Sequence, residues 1–303
     1  MAVLAALVTV VLWASAFVGI RAAGEDLSPG ALSLGRLAIG SLFLGALALS
    51  RGGSWPGRSE LPLLLTCGVL WFGLYNPVLN EAEQRVDAGT AAMLVNIGPL
   101  LIALLAGFLL GEGFPRPLLI GLSIAFAGAI VIGLATAEQG VGAGWGSVLC
   151  VVAAALYAGG VIAQKPLLSR ASALHITWLA CLIGMAVCLP FAPQLFDEVG
   201  DAKASSLAWM VYLGIFPTGV AFTTWAYALA RTTAGRMGAT TYLVSPIAIL
   251  LGWAMLDESP AALAFLGGAL CLAGVVIARR TSFPRPRLQE TPEPSLQSGH
   301  QGG

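Results

Sequence analysis

Neutral hydrogen-bonding side chains stand beside aromatic ones in two apolar stretches of the chain. One stretch carries Tyr75, Asn76 and Asn80, and the other carries Thr223 next to an aromatic residue. Aromatic rings can enclose the apolar body of a ligand, while amides and hydroxyls bind its polar ends. In the alternative interpretation, Asn and Thr link neighbouring helices and the rings fill space. Further candidates for ligand binding have the same side-chain types and lie in other apolar stretches: Trp13, Phe17, Asn96, Tyr157, Gln164, Tyr242 and Ser245.

One basic residue, Arg36, falls inside an apolar stretch rather than at its end. At about 1.5 Å per helical residue, it lies roughly 10 Å from the nearer end. A charge at that depth costs a few kcal/mol and indicates a functional site, here contact with a ligand carboxylate. In the alternative interpretation, the guanidinium reaches back to the surface or pairs with Glu25 or Asp26.

The sequence lacks the motifs of the common hydrolytic enzymes. Its two histidines, His175 and His300, form no His-Glu-x-x-His motif, and no Gly-x-Ser-x-Gly motif is present. The five cysteines lie in apolar stretches without metal-ligand spacing, which favours a packing role. We therefore predict no catalytic residues, no metal site and no cofactor.

The composition indicates lipid as the main solvent. The chain has 303 residues, of which 57% are hydrophobic and 10% are charged, whereas soluble domains carry about 25% charged residues. Its fifteen basic and fifteen acidic residues cancel, so no net charge points to a nucleic-acid partner.

A membrane-spanning helix needs about 20 mainly apolar residues. Charged, Gly and Pro clusters divide the chain into ten such spans and a polar tail, 281–303, that we predict to be disordered. The predicted all-α membrane fold therefore has ten spans, at 3–20, 30–50, 61–80, 88–110, 116–135, 145–164, 174–192, 207–229, 235–256 and 261–279.

An internal repeat relates two halves of five spans each. The stretch from Pro99 to Glu112 resembles the stretch from Pro246 to Glu258, about 147 residues later. Secondary transporters are commonly built from such repeats. Because a proline inside a helix removes a backbone hydrogen bond, we predict hinges or ligand contacts at Pro77, Pro99, Pro217 and Pro246.

The distribution of basic residues between the connections predicts orientation. Eleven basic residues lie in the even-numbered connections and the C-terminal tail, against three in the odd-numbered connections. Cytoplasmic loops retain Lys and Arg, which places both termini in the cytoplasm. Five spans per half then invert the second repeat relative to the first. The predicted units are 1–135 and 145–280, joined by 136–144 and followed by the tail.

This pattern resembles the EamA-type carriers of the drug/metabolite transporter superfamily. The resemblance rests on Trp13-Ala14-Ser15-Ala16-Phe17, on Gly35-Arg36-Leu37 and on the two Pro…Glu stretches. It implies a multi-pass metabolite carrier, often an exporter, in the bacterial inner membrane. The aromatic residues of the central spans resemble in particular the aromatic amino-acid exporters of the YddG type.

Together, the residues and the resemblance predict export of a small neutral metabolite, such as an aromatic or large apolar amino acid, by alternating access. No Asp or Glu lies in the middle of a span, so the carboxylate of a proton relay is missing and an uncoupled uniporter is favoured. Other interpretations are a carrier of a sugar, nucleoside or drug, a proton-coupled carrier, a channel and, from a different class, an intramembrane enzyme. The sequence leaves the oligomeric state open.

Overall fold

The computed structural model describes residues 1–85, 94–136, 144–256 and 262–280. The predicted tail, most of the predicted connection between the halves, and Glu258 lie outside these residues. All regular structure in the described ranges is helical and falls into ten consecutive runs. These are α1 (Ala2–Ala23), α2 (Pro29–Arg51), α3 (Arg58–Glu83), α4 (Ile97–Leu109), α5 (Arg116–Thr136), α6 (Trp145–Leu167), α7 (Ala173–Asp201), α8 (Ala204–Leu229), α9 (234–256) and α10 (Ala262–Arg279).

Within the described ranges, six of these helices are long and apolar enough to cross a membrane. They are α1, α2, α3, α6, α7 and α8, and shorter apolar stretches occur in α4, α5 and α10. Several helices extend beyond the predicted spans. Helix α3 continues three residues beyond the expected end, to Glu83. Helix α7 passes through a 3-10 turn, Leu189–Phe191, into an amphipathic stretch ending at Asp201, because the prolines there occupy first-turn positions that need no N–H donor.

Helices α3 and α8 each contain a seven-residue π-helical segment. The segments are Gly68–Leu74 and Gly214–Val220, and their separation matches that of Pro99 and Pro246 to within one residue. In α3, two carbonyls that precede Pro77 find other donors. Asn76 Nδ2 donates to the Phe72 carbonyl (2.8 Å), and Cys188 Sγ donates to the Gly73 carbonyl (3.4 Å). Such segments commonly mark functional sites within helices.

The two groups of five helices interlock. Helix α1 packs against α8 and α9, and α6 packs correspondingly against α3 and α4. Helix α2 contacts α7 and α8, while α7 contacts α2 and α3. The α2–α7 pair is antiparallel, since Ser41 bonds to Cys181 whereas Gly45 lies against Trp178. The bundle therefore has no separable halves.

Glycines bring α5 and α10 into direct backbone contact. A Cβ added to Gly121 would lie 2.4 Å from the Ala278 nitrogen, and one added to Gly274 would lie 2.5 Å from the Ala125 nitrogen. Small residues allow this approach, which lets helices associate in lipid through close packing. The two helices form a supporting pair at one side of the bundle.

Replacing Gly274 with Ala should separate α5 from α10, because backbone atoms at 2.5 Å cannot move aside as a side chain could. We expect the free energy of unfolding to fall by about 1–3 kcal/mol, as in other overpacked contacts. The shift in midpoint of thermal unfolding of the purified protein measures this loss. Gly200→Ala is the matched control, since nothing lies within 4 Å of its added Cβ. Equal midpoints for the two variants would contradict the close-packing interpretation.

Candidate functional site

A cleft lies in the half of the bundle in which α1 and α3 end, and that end of the bundle is called the mouth of the cleft. The centres of water-sized molecules can occupy about 110 Å³ of the cleft. Helices α5 and α10 contribute none of its described lining residues. The lining residues come from seven helices: Trp13, Ala16, Phe17, Ile20, Arg36, Trp71, Tyr75, Asn76, Leu79, Val95, Asn96, Pro99, Tyr157, Phe222, Thr241, Val244 and Ser245.

Aromatic rings form the deep end of the cleft. The ring of Trp13 lies 5.0 Å from that of Trp225 and 5.3 Å from that of Phe222, between centroids. Trp71 lies 4.9 Å from Phe222 in an edge-to-face arrangement, which favours the electrostatics of the two rings. Trp13 Nε1 donates to the Pro217 carbonyl in the π-helical segment of α8 (3.3 Å). An apolar group that enters the cleft therefore ends on an aromatic floor.

Neutral polar groups line the walls above this floor. Asn76 uses its amide nitrogen to bind backbone carbonyls of its own helix, which leaves its amide oxygen as the acceptor for a ligand. Asn96 Nδ2 donates to Ser245 Oγ (2.9 Å) and joins α9 to the residue that precedes α4. The Tyr242 hydroxyl donates to the Asn96 carbonyl (2.9 Å) from a fully buried position. Tyr242 therefore positions Asn96 and does not line the cleft.

Arg36 is the charged residue of the lining. It is 5% exposed, and its Nε donates to Thr218 Oγ1 in α8 (3.2 Å). Among the described ion pairs, none includes Arg36. A carboxylate in the cleft would meet a guanidinium whose remaining N–H groups can donate to it.

The alternative partners suggested for Arg36 bind elsewhere. The Asp26 carboxylate accepts from the Ser206 hydroxyl (2.6 Å), and it and Glu25 form ion pairs with Lys203. The bond from Ser206, followed by that from Lys203, lowers the pKa of Asp26 below its ordinary value. These acids therefore connect the α1–α2 loop to the start of α8, outside the cleft.

Four of the predicted ligand-binding residues do not reach the cleft in this conformation. Asn80 donates to Ser33 Oγ (3.0 Å) and so links α3 to α2, while Thr223 donates to the Gly219 carbonyl of its own helix (2.8 Å). Tyr242 and Gln164 are fully buried, and neither amide atom of Gln164 has a hydrogen-bond partner. Of the predicted prolines, Pro99 lines the cleft; Pro77, Pro217 and Pro246 do not.

The predicted set also omitted part of the lining. Trp71 precedes the predicted Tyr75 by four residues, so the helical period could have placed both on one face. Phe222 stands beside Thr223 in the sequence, but the prediction selected the hydroxyl of Thr223 and passed over the neighbouring ring. The other omitted residues carry ordinary packing side chains or a lone hydroxyl: Ala16, Ile20, Leu79, Val95, Thr241 and Val244.

At the opposite end of the bundle, hydrogen bonds join neighbouring helix ends. The Glu112 carboxylate accepts from the N–H groups of Ala234 (2.7 Å) and Gly235 (3.1 Å) at the start of α9. Lys165 Nζ donates to the carbonyl of Leu229, the last residue of α8, and to the carbonyl of Thr232 just beyond it, both at 2.6 Å. Both contacts match the helix dipole, with an acid at an N-terminus and a base at a C-terminus.

The fold and the sequence both have known relatives. A solved crystal structure of a protein superposes with a TM-score of 0.79 and 22% identity, covering 92% of this chain and 98% of the other. The chain is 37% identical to a probable terminal-alkyne amino-acid exporter of Streptantibioticus cattleyicolor, over 96% of this chain and 97% of the relative. It is 29% identical to the uncharacterized transporter YdfC of Bacillus subtilis, over 87% and 86% of the two chains.

The profile of the EamA-like transporter family matches residues 1–134 and 144–280. These two matches, one after the other, cover nearly all of the chain that precedes its C-terminal tail. With helices long and apolar enough to cross a membrane, and with relatives named as transporters, the chain is a multi-pass membrane transporter rather than an enzyme, and it belongs to the EamA-like transporter family.

Proposed function

We propose that this protein exports neutral amino acids with an aromatic or large apolar side chain. The observation that carries the proposal is the composition of the cleft, in which an aromatic floor lies below amide, hydroxyl and guanidinium groups. The floor suits an apolar side chain, and Arg36 suits an α-carboxylate. The name of the Streptantibioticus relative, a probable terminal-alkyne amino-acid exporter, supports the same substrate class.

Transport would proceed by alternating access between two inverted five-helix repeats. The paired π-helical segments, the reciprocal packing of α1 and α6, and the antiparallel contact of α2 with α7 support this arrangement. In a bacterial inner membrane, with both termini on the cytoplasmic side, α1 and α3 would end at the outer face. The cleft then opens outward, and the bonds of Glu112 and Lys165 close the cytoplasmic side.

Release of those cytoplasmic bonds would open a path past Gln164. Its amide is buried without a partner, and such a group gains hydrogen bonds when water or substrate reaches it. The prolines at positions 77, 99, 217 and 246 would permit bending during the change. We propose Gln164 as a contact of the inward-facing state.

We also propose that transport is uncoupled. None of the described residues that line the cleft is an aspartate or glutamate, so its walls carry no carboxylate for a proton relay, and Glu83 lies beyond this lining, toward the end of α3. The net direction of transport then follows the amino-acid gradient.

Purified protein in liposomes should exchange labelled L-phenylalanine for unlabelled L-phenylalanine, with no requirement for a pH difference. The measurement is accumulation of label in vesicles preloaded with amino acid, compared with vesicles without protein. If label moves uphill only when a pH difference is imposed, the uncoupled mechanism is wrong. Movement of a sugar or nucleoside without movement of any amino acid would overturn the substrate assignment.

Tyr75→Ala should reduce L-phenylalanine exchange by about 3–10-fold, which corresponds to roughly 0.7–1.4 kcal/mol of lost ring contact. The midpoint of thermal unfolding should fall only modestly, because Tyr75 lines the cleft and packs against the core on one side. Leu74→Ala is the matched control, since Leu74 is 38% exposed and does not line the cleft. Equal loss of exchange in both variants would count against Tyr75 as a substrate contact.

A reporter enzyme that works only outside the cytoplasm tests the orientation. Fused after Arg280 it should be inactive, and inserted within 138–144 it should be active, because the basic residues hold the C-terminal tail inside. The reverse pattern would reject the orientation and with it the outward opening of the cleft.

A further inference from the structure

A carboxylate that the predicted spans excluded lies just beyond the cleft. Helix α3 continues to Glu83, and residues 76, 79 and 83 share one helical face because they are three and four positions apart. Asn76 and Leu79 line the cleft. Glu83 therefore lies one helical turn further along the same face, toward the mouth of the cleft.

The Glu83 carboxylate is not fully bonded within the protein. Its Oε1 atom is buried and has no hydrogen-bond partner. The neighbouring Glu81 provides a contrast, because it is solvent-exposed and pairs with Arg85 one turn away. A buried acceptor without a donor costs about 1–3 kcal/mol, more when charged, so Glu83 has an unfilled capacity to bind a donor.

Arg36 supplies the complementary charge. The Glu83 carboxylate is attracted electrostatically by Arg36 on α2 and by Arg21 on α1. The Tyr75 hydroxyl interacts electrostatically with both Glu83 and Arg36. Arg36 faces the cleft, whereas Glu83 lies on the face of α3 that lines it. A group of each sign therefore borders the outer part of the cleft.

We propose that Glu83 binds the α-ammonium group of an amino acid whose α-carboxylate is held by Arg36. The proposal rests on the amino-acid carrier function proposed above and deepens it by assigning both charged ends of the substrate. A zwitterion carries opposite charges on adjacent groups, and each forms charge-assisted hydrogen bonds of about 2.7–2.9 Å with its partner. The side chain then points away from Glu83, toward the aromatic floor.

This arrangement selects against analogues that lack either charge. A ligand without the ammonium group would leave the Glu83 carboxylate buried and unpaired, and one without the carboxylate would do the same to Arg36. Sites that hydrogen-bond a substrate group reject analogues lacking it strongly, because their own polar groups then lose their partners. A purely structural role for Glu83, pairing with Arg21, would produce no such selectivity.

Binding of three related compounds to purified protein in lipid nanodiscs tests the proposal. The compounds are L-phenylalanine, 3-phenylpropionate, which lacks the ammonium group, and phenethylamine, which lacks the carboxylate. Titration calorimetry should show that wild-type protein prefers L-phenylalanine over both analogues. Glu83→Gln should weaken L-phenylalanine binding roughly 10–100-fold, the range for a hydrogen bond to a charged group, while leaving 3-phenylpropionate binding unchanged or tighter.

Three further variants complete the design. Arg36→Gln should mirror the first result, with L-phenylalanine weakened and phenethylamine unchanged or tighter. Glu83→Asp should restore part of the preference because it keeps the charge. Glu81→Gln, on the same helix but exposed, should behave as wild type.

The outcomes separate this proposal from the function on which it rests. If wild-type protein prefers L-phenylalanine and Glu83→Gln retains that preference, the role of Glu83 is wrong while the carrier function stands. The same conclusion follows if Glu83→Gln weakens all three compounds equally. If wild-type protein binds no amino acid, both the substrate assignment and the role of Glu83 are overturned.

Discussion

The absence of hydrogen-bonding solvent in lipid governs this structure, since each polar group inside the bundle needs a partner within the protein. Asn80 binds Ser33 between α3 and α2, and Thr9 binds Thr224 (2.8 Å) between α1 and α8. The Gly73 carbonyl lacks its usual helical donor because Pro77 has no N–H, and it accepts a hydrogen bond from the Cys188 thiol instead. These hydrogen bonds hold neighbouring helices in register and so stabilise the bundle.

Two of the buried polar groups without a partner lie on the proposed transport path. Gln164 on the closed side has no partner for its amide, and Glu83 near the mouth has one unpaired carboxylate oxygen. Each unpaired group destabilises this conformation, and each forms a hydrogen bond when a ligand or water reaches it. The bonds that Glu112 and Lys165 make with helix ends can exchange with water at modest cost. Opening the side that Glu112 and Lys165 hold together would therefore replace their hydrogen bonds with bonds to water. It would also give the Gln164 amide the hydrogen bonds that it lacks in this conformation.

Residue types and spacing predicted the helical class, the buried Arg36, and the wall formed by Tyr75, Asn76 and Asn96. They could not separate Asn80 from Asn76, because a period of 3.6 residues puts both on one face without saying which neighbour that face meets. Asn80 meets α2, and only the packed bundle shows this. The partners of Asp26 were likewise hidden, since Ser206 lies in a distant part of the sequence. Long-range pairing of this kind leaves no local pattern.

Burial and charge together set how a substrate would lie in the cleft. Trp13, Trp71 and Phe222 pack at centroid distances of 4.9–6.1 Å, so the floor resists deformation and limits the length of an apolar side chain. Arg36 stands above the floor, and Glu83 lies further toward the mouth. An amino acid bound with its charged end toward the floor would bury two charges against aromatic rings, at a cost of several kcal/mol for each ion. Binding with the side chain toward the floor avoids that cost, so the electrostatics alone favour one orientation of the substrate.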